Sequence, residues 1–486
     1  MLRNVNMRVL SQLAVVTAKN LLMLTSTMSF AYVGVLIASL SHINSEEVIY
    51  FDEYETSWIS SVELIASLVG STLSGIVTEP LGRKVSMMML TIPSLISWVL
   101  FHFADEKWQI FAALTLQGVT SGLIEAPILS YVAEVTEPHL RGTLSATVLV
   151  SGSFGYFVEF LIGSLLHWKL AALVSAAMPI VAFCLLSQVP ETPYWLLSRN
   201  KEDEARRSLA WLRGWTTIAS IEDEFQTIRK SFENHENNGV ASSCVRRTKQ
   251  FARKNFVWPF TLVSLLFAWS NFVGVGTLTY YAAIISVTLK SPIDKYLVTV
   301  LIGLCQFLGS LVCIFTVSFF GKRITALFAA SSLCVTTGAI GLYAHLLGVV
   351  RLNFASIASE DHTDDFAWFT VVLLCCYGFI SYCGIRSIPW ILTGEVFSNE
   401  TRAVACGLST SVNYFTGFVA NKVYLSMISI LTLAGVYWTY ATICFLGFVV
   451  IYLAVPETEG RTLEEIVNHF NGKGKLSNKM KLSTSL

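Results

Sequence analysis

The sequence predicts an all-α membrane protein, with twelve transmembrane helices in two pseudo-symmetric six-helix halves. Three observations lead there. Of 486 residues, 53% are hydrophobic and 14% charged, with a mean hydropathy of +0.59, so a water-soluble chain of this length would have too little polar surface to cover itself. Apolar stretches long enough for the ~20 residues that cross a ~30 Å hydrocarbon core recur twelve times. Charged landmarks that punctuate the first six stretches return in the same order among the last six, which marks an internal duplication.

In chain order the first six stretches lie near 21–41, 57–78, 85–104, 108–133, 143–166 and 169–189. The other six lie near 256–287, 296–319, 324–349, 366–394, 403–428 and 433–455. No period-2 alternation suggests barrel strands, so helices that satisfy their own backbone are expected. The chain divides into an N-terminal arm (1–19), a first half (20–189), a linker (190–255), a second half (256–456) and a tail (457–486). In the linker, "SRNKEDEARRSLAWLRG" and "TIASIEDEFQTIRKSF" set apolar residues at helical spacing among charges. The first apolar stretch is too long for a cleaved signal and is read as a spanning helix.

Orientation follows from the basic residues. Arg3, Arg8 and Lys19, the pairs Arg83/Lys84 and Lys322/Arg323, and Lys473, Lys475, Lys479 and Lys481 all fall on one side of an even-numbered topology. "HINSEEVIYFDEYETS" and "EDHTDD" occupy the other, so both termini are expected in the cytoplasm. The net charge is zero and the basic residues sit where topology wants them, so no nucleic-acid partner is indicated. The expected partners are the bilayer and a small-molecule substrate, with no obligate protein partner evident. Nine of the ten cysteines fall within predicted spans and Cys244 in the linker; neither a disulfide framework nor a metal spacing emerges, and no cofactor is expected. No nucleophile and base pair suggests an enzyme. The sequon Asn399-Glu400-Thr401 would face the cytoplasm and is expected to stay unmodified.

The repeated landmarks are "LGRK" (81–84) against "FGKR" (320–323), "VPETP" (189–193) against "VPETE" (455–459), and two Glu/Arg pairs of equal spacing, Glu134/Arg141 and Glu395/Arg402. On these motifs, and on "WISSVELIASLVGSTLSGIVTEPLGRK", "PETPYWLLSRNKEDEARRSLAWLRG", "IPWILTGEVFSNETR" and "VPETEGRTLEEI", the chain resembles the sugar-porter branch of the major facilitator superfamily nearly end to end. Within that branch it is most similar to the facilitated trehalose transporter-like proteins of insects. The resemblance implies the major facilitator fold and facilitative transport, by alternating access, of a hexose or a disaccharide such as trehalose, at the plasma membrane. Two other readings stay open: proton-coupled symport through Glu125, and a nontransporting sensor or degenerate paralogue.

The resemblance also implies two gating clusters: Arg83, Lys84, Glu134, Arg141 and Glu191 in the first half, and Lys322, Arg323, Glu395, Arg402 and Glu457 in the second. In the family such clusters form cytoplasmic ion-pair networks that hold the halves together while the site faces outward. Ordinary positive-inside charge with helix capping is the alternative. The family's first loop begins Asp-Arg where this chain has Glu79-Pro80, and Ser318 replaces the corresponding Asp of the second half.

For the substrate site, Trp390, Asn413, Gln306 and the neighbouring Tyr280 and Tyr281 match cavity-lining positions of relatives. Ser270 and Asn271 stand where the family has a Gln pair, Gly276 where it has an Asn, and Leu149 about where glucose carriers have another Gln. Each lost amide removes a hydrogen bond worth about 0.5–1.5 kcal/mol. Trp390 could instead be a core or interfacial indole, and Asn413 and Gln306 could bond between helices. Proton-coupled relatives carry an Asp where this chain has Tyr32, which argues for uniport. Glu63 and Glu159, near the outer ends of their spans, are read as wetted structural positions, whereas Glu125 lies deeper and needs a partner. Glu125 precedes Glu134 by the same interval as Arg386 precedes Glu395, so the two share a depth on spans four and ten. In the family these two spans face each other across the central cavity, so the resemblance, with the equal depth, implies an ion pair there, the alternative being two separate departures each served by water.

Overall fold

The computed structural model describes residues 2–41, 49–239, 254–354, 367–397, 402–461, 463–470, 474 and 476. Spans 1 to 5 are Leu2–Leu40, Glu53–Leu81, Arg83–His102, Lys107–Val135 and Pro138–Leu165, and span 6 is built from Trp168–Ser175 and Ala177–Gln188. Span 7 joins Lys254–Phe272 to Val275–Thr288; span 8 is Lys295–Phe320 and span 9 Lys322–Leu346. Span 10 runs from Ala367–Ile380 through a π turn, Ser381–Ile385, into Ser387–Glu395. A single helical run, Arg402–Ala454, holds the last two spans, divided at Thr432, whose φ of 66° and ψ of 166° leave the helical region. Twelve crossings result.

Span 1 begins at Leu2, so residues 2–19, expected as a separate arm, continue the membrane helix. The linker explains this: Ser11 donates to the Leu212 carbonyl (2.8 Å), and Gly214 packs on the backbone of Met7 and Arg8. The linker helices Pro193–Ser198, Glu202–Leu212 and Glu222–Gly239 share a small core of Leu196, Leu209 and Phe225. They dock on the first half through Arg213, which pairs with Glu137 (3.3 Å) as well as Glu224 (2.6 Å).

Close helix contacts come where side chains are small. Gly70 and Gly122 bring spans 2 and 4 together backbone to backbone, and a Cβ on Gly34 would lie 2.9 Å from the Thr279 carbonyl of span 7. Gly274, at φ 90°, breaks span 7 at mid-depth. Irregular backbone at that depth is tolerated where it borders a cavity, and Gly276 does line one.

The halves meet along spans 1 and 7, 2 and 11, and 5 and 8. On the face away from the termini the cross-half bonds include Ser39 to Tyr296 (3.4 Å), Lys295 Nζ to the Ala38 carbonyl (3.1 Å), Tyr281 to Ser60 (2.9 Å) and Lys422 Nζ to Ser57 (2.8 Å). Midway, Ser71 meets Ser411 (3.1 Å) and Ser153 meets Ser310 (2.6 Å). Among the described residues, the contacts away from the termini close the far face.

Candidate functional site: a cavity between the halves

Between the halves lies a cavity of about 940 Å³, counting its open mouth. Its lining runs from Phe30 and Tyr280 at mid-depth to Leu129 and Val148 toward the face that carries the termini. A smaller space of about 320 Å³ adjoins it, sharing Tyr156, Tyr280, Tyr382 and Arg386 and adding Asn271, Gly276 and Asn421. The π turn of span 10 inserts an extra residue into the helical register, and Tyr382 and Arg386, within and just after it, both line the wall.

Two polar chains cross this space. Tyr414 of span 11 donates to Glu125 Oε1 of span 4 at 2.6 Å, joining the halves. Arg386 Nη1 donates to Asn271 Oδ1 at 3.1 Å. The Asn271 amide in turn donates to the Asn413 carbonyl (2.9 Å), Asn413 Oδ1 (3.0 Å) and Thr416 Oγ1 (3.0 Å). The expected Glu125–Arg386 ion pair is therefore not formed in this structure: the two side chains line the same cavity, but Tyr414 takes the carboxylate and Asn271 draws the guanidinium toward span 7. Equal depth left their directions around the helix axes unspecified.

Of the other candidate residues, Trp390 and Asn413 line the larger cavity and Asn271 the smaller. The Trp390 ring meets Phe267 edge-on at 5.1 Å. Leu149 lines the wall as well. Gln306, Ser270 and Tyr281 do not line either space. Gln306 donates to Thr279 (3.2 Å) between spans 8 and 7, Ser270 bonds the Phe267 carbonyl (2.8 Å), and Tyr281 faces span 2. Its neighbour Tyr280 takes the cavity position instead, since consecutive helical residues point about 100° apart. Tyr156, Tyr382 and Tyr414 were missed by sequence reasoning. Two of them carried a signal: Tyr414 directly follows Asn413, and Tyr382 lies one helical turn before Arg386.

Glu63 and Glu159, expected to be wetted, are buried. Ser29 donates to Glu63 Oε1, and Ser175 donates to Glu159 Oε2 at 2.6 Å. Tyr32, at the position of the relatives' Asp, donates to the Trp168 carbonyl (2.9 Å) and packs on Trp98 and Phe101. Neighbouring helices supply these partners.

The charged motifs fold into two matching clusters. In the first, Arg83 pairs with Glu134 at 2.9 Å, Thr192 donates to the same carboxylate at 2.6 Å, and Lys84 Nζ donates to the Ser187 carbonyl at 3.0 Å. Glu191 accepts the backbone N–H of Arg83 (3.2 Å) and Lys84 (3.0 Å), capping the start of span 3. Burial pushes the Glu191 carboxyl above its ordinary range, against the pull of those amides. In the second cluster, Lys322 pairs with Glu395 (2.8 Å) and Glu459 (2.7 Å), and Thr458 donates to Glu395 (3.0 Å). Glu457 accepts the N–H of Lys322 (3.1 Å) and Arg323 (3.0 Å), while the Arg323 side chain turns to the Tyr452 carbonyl. The first basic residue of each pair thus reaches the Glu of the Glu/Arg motif in its own half, Glu134 or Glu395, whichever of Lys or Arg it is. Glu459 was not anticipated, because its counterpart is Pro193. The side chains of Arg141 and Arg402 lie outside the described residues, as does the sequon. Each described ion pair of the clusters stays within one half, and none of them joins the halves here.

The sequence matches the family described as "Sugar (and other) transporter" over residues 19–470. It is 29% identical over 415 residues to the facilitated trehalose transporter Tret1 of Bombyx mori, covering 85% of this chain and 78% of that one. The corresponding protein of Apis mellifera ligustica is 27% identical, with 85% and 79% covered. Among solved structures, a proton:xylose symporter XylE bound to 6-bromo-6-deoxy-D-glucose superposes with a TM-score of 0.72 at 18% identity, over 94% of this chain and 98% of that one. A partially occluded inward-open XylE from E. coli gives 0.70 at 18%, over 93% and 98%. These structures share the fold, twelve helices in two halves about a central cavity, and the family match over nearly the whole length shows that the chain belongs to the sugar (and other) transporter family.

Proposed function

We propose that this protein carries a sugar-like substrate passively across the plasma membrane by alternating access, with both termini cytoplasmic. The observation that carries the reading is the cavity between the two halves, closed on the face away from the termini by direct contacts between them. On that orientation the structure is shut to the outside, and the substrate would leave toward the cytoplasm. Trp390, Asn413 and the wall tyrosines form the binding surface, with Asn271 behind them holding Arg386: Trp390 supplies an apolar face for a ring, and the Asn413 amide and the tyrosine hydroxyls supply donors and acceptors. The charged clusters brace the ends of spans 2–3 and 8–9 in this state. They become cross-half gates only if the halves close toward each other on the cytoplasmic side. Weak, partly solvated pairs suit that exchange, because two states that differ by a few kcal/mol can interconvert.

A second reading, proton-coupled transport, rests on one observation: the Glu125 carboxyl lines the cavity and holds a hydroxyl of the other half. Uptake of labelled glucose and trehalose into proteoliposomes, with and without a pH gradient, separates the two. Gradient-independent uptake, reduced several-fold in Trp390→Ala with normal membrane insertion, is the expected result. Uptake only with a gradient, abolished in Glu125→Gln, would establish symport; no uptake of either sugar refutes neutral-sugar carriage.

A further inference from the structure

Arg386 lines both cavities, and no other described Lys or Arg lines either. It sits at a depth where an uncompensated charge is costly and marks function. Among the described residues no carboxylate lies within ion-pairing distance of its guanidinium. The acid that shares the cavity, Glu125, is engaged by Tyr414. The groups in direct contact with Arg386 are neutral, with Asn271 accepting from Nη1 at 3.1 Å and the phenols of Tyr156, Tyr280, Tyr382 and Tyr414 around it, while Glu125 acts on it only from beyond ion-pairing distance. Asn271 is itself tied to Asn413 and Thr416, so the guanidinium is held by a side chain that cannot easily turn away. A guanidinium has five donors in a planar fork; Asn271 takes one and Tyr382 is bonded to the group as well, and Arg386 lines the cavity with the remainder of the fork.

The groups that would recognise a neutral polyol are correspondingly few. Ser270 is turned to a backbone carbonyl, Asn271 is saturated by protein partners, and Leu149 is apolar. The site has fewer free amides and one added fixed cation. We propose that it selects a sugar acid, a hydroxylated monoanion of hexose size whose carboxylate forms a two-pronged pair with Arg386. Glu125, in the opposing wall, would repel a second negative charge, so a monocarboxylate is preferred over a sugar phosphate. The inference rests on the reading of this cavity as the substrate site of a carrier.

The test uses the purified full-length protein and four probes of similar size: D-glucuronate, D-glucuronamide, D-glucose and D-glucose 6-phosphate. Binding is measured by ligand-induced thermal stabilisation and confirmed by uptake into proteoliposomes. Glucuronate is expected to bind about tenfold more tightly than its neutral amide, the scale of one charge-assisted pair. Arg386→Gln should bring that ratio close to one, and Arg386→Lys, a point charge without the fork, should keep part of it. The proposal is overturned if glucuronamide, glucose or the phosphate binds wild type as tightly as glucuronate, or if Arg386→Gln keeps the preference. Should that variant not fold, the wild-type comparison of acid and amide decides alone. Carriage of glucose with no preference for the acid sinks this inference and leaves the carrier reading intact; failure of every probe to bind or enter sinks both.

Discussion

On the face away from the termini, the halves touch through hydrogen bonds, two of them from lysines, and through aromatic contacts, with no cross-half ion pair among the described residues, whereas on the terminal face the described ion pairs of the two clusters stay within their own halves. Tyr281 and Ser60, Lys422 and Ser57, and Gly34 against the Thr279 carbonyl belong to the first set. Arg83 with Glu134, and Lys322 with Glu395 and Glu459, belong to the second. The difference separates two jobs that charge density alone would merge. The far-side contacts set which state is populated, because they exist only while the halves are closed there. The charged clusters tie helix ends together within each half in this state, so they brace a half internally and do not hold the two halves to each other.

The largest effect should come from disturbing the far side at its tightest point. A Cβ on Gly34 would stand 2.9 Å from a backbone carbonyl and 3.3 Å from the Phe160 ring, and a carbonyl inside a helix cannot move aside as a flexible side chain can. Gly34→Val should destabilise the closed seal by about 1–3 kcal/mol. Spin-label distances between the far-side ends of spans 1 and 7 should lengthen in the variant. Distances that match wild type would show that this contact is incidental to the state.

A middle-sized effect is expected at Lys422. Its ammonium lies 3.8 Å from the centroid of the Trp58 ring and 4.6 Å from that of Tyr54, both on span 2 of the other half. Cation–π contacts contribute about 0.5–2 kcal/mol depending on solvation. Lys422→Met keeps the apolar stem but loses the charge, which should lower the closed-to-open ratio about fivefold for a loss near 1 kcal/mol. The same labels report it; a shift as large as that of Gly34→Val, or none, would contradict the ranking.

How much of this could be read in advance differs between fold and site. Hydropathy placed all twelve crossings, and the gap between the last two stretches falls on Thr432, where the helix breaks. The helical start at Leu2 was not legible, because what stabilises it is the docked linker, a contact between residues some two hundred positions apart. Repetition of the charged motifs revealed the clusters, but a motif does not state whether its partners lie in the same half. At the site, type and depth pointed to Trp390, Asn413, Glu125 and Arg386. Direction did not follow: Tyr280 and Tyr281 are adjacent in sequence and face different partners, and Tyr414 from a third helix intercepts Glu125. Glu63 and Glu159 fail for the same reason, since the serines that bond them belong to neighbouring spans.

The smallest effect belongs to the terminal side and sharpens the contrast through its pH dependence. Glu191 caps span 3 with its carboxylate, yet burial holds its carboxyl above the ordinary value of 4.5, despite the amides of Thr192, Lys84, Val85 and Arg83. A carboxyl whose pKa is raised on folding contributes its stabilisation fully below the unfolded value, and loses it as pH rises through the folded value. Glu191→Gln resembles the protonated form at every pH. The melting temperature of wild type should therefore fall relative to the variant as pH climbs from 4.5 upward, by an amount corresponding to about 1 kcal/mol or less for a partly solvated group. Far-side label distances should not change at all, because the contact lies within one half. Parallel melting curves across that range would remove the burial argument for Glu191, and a change in the far-side distances would mean that the terminal cluster already takes part in choosing the state.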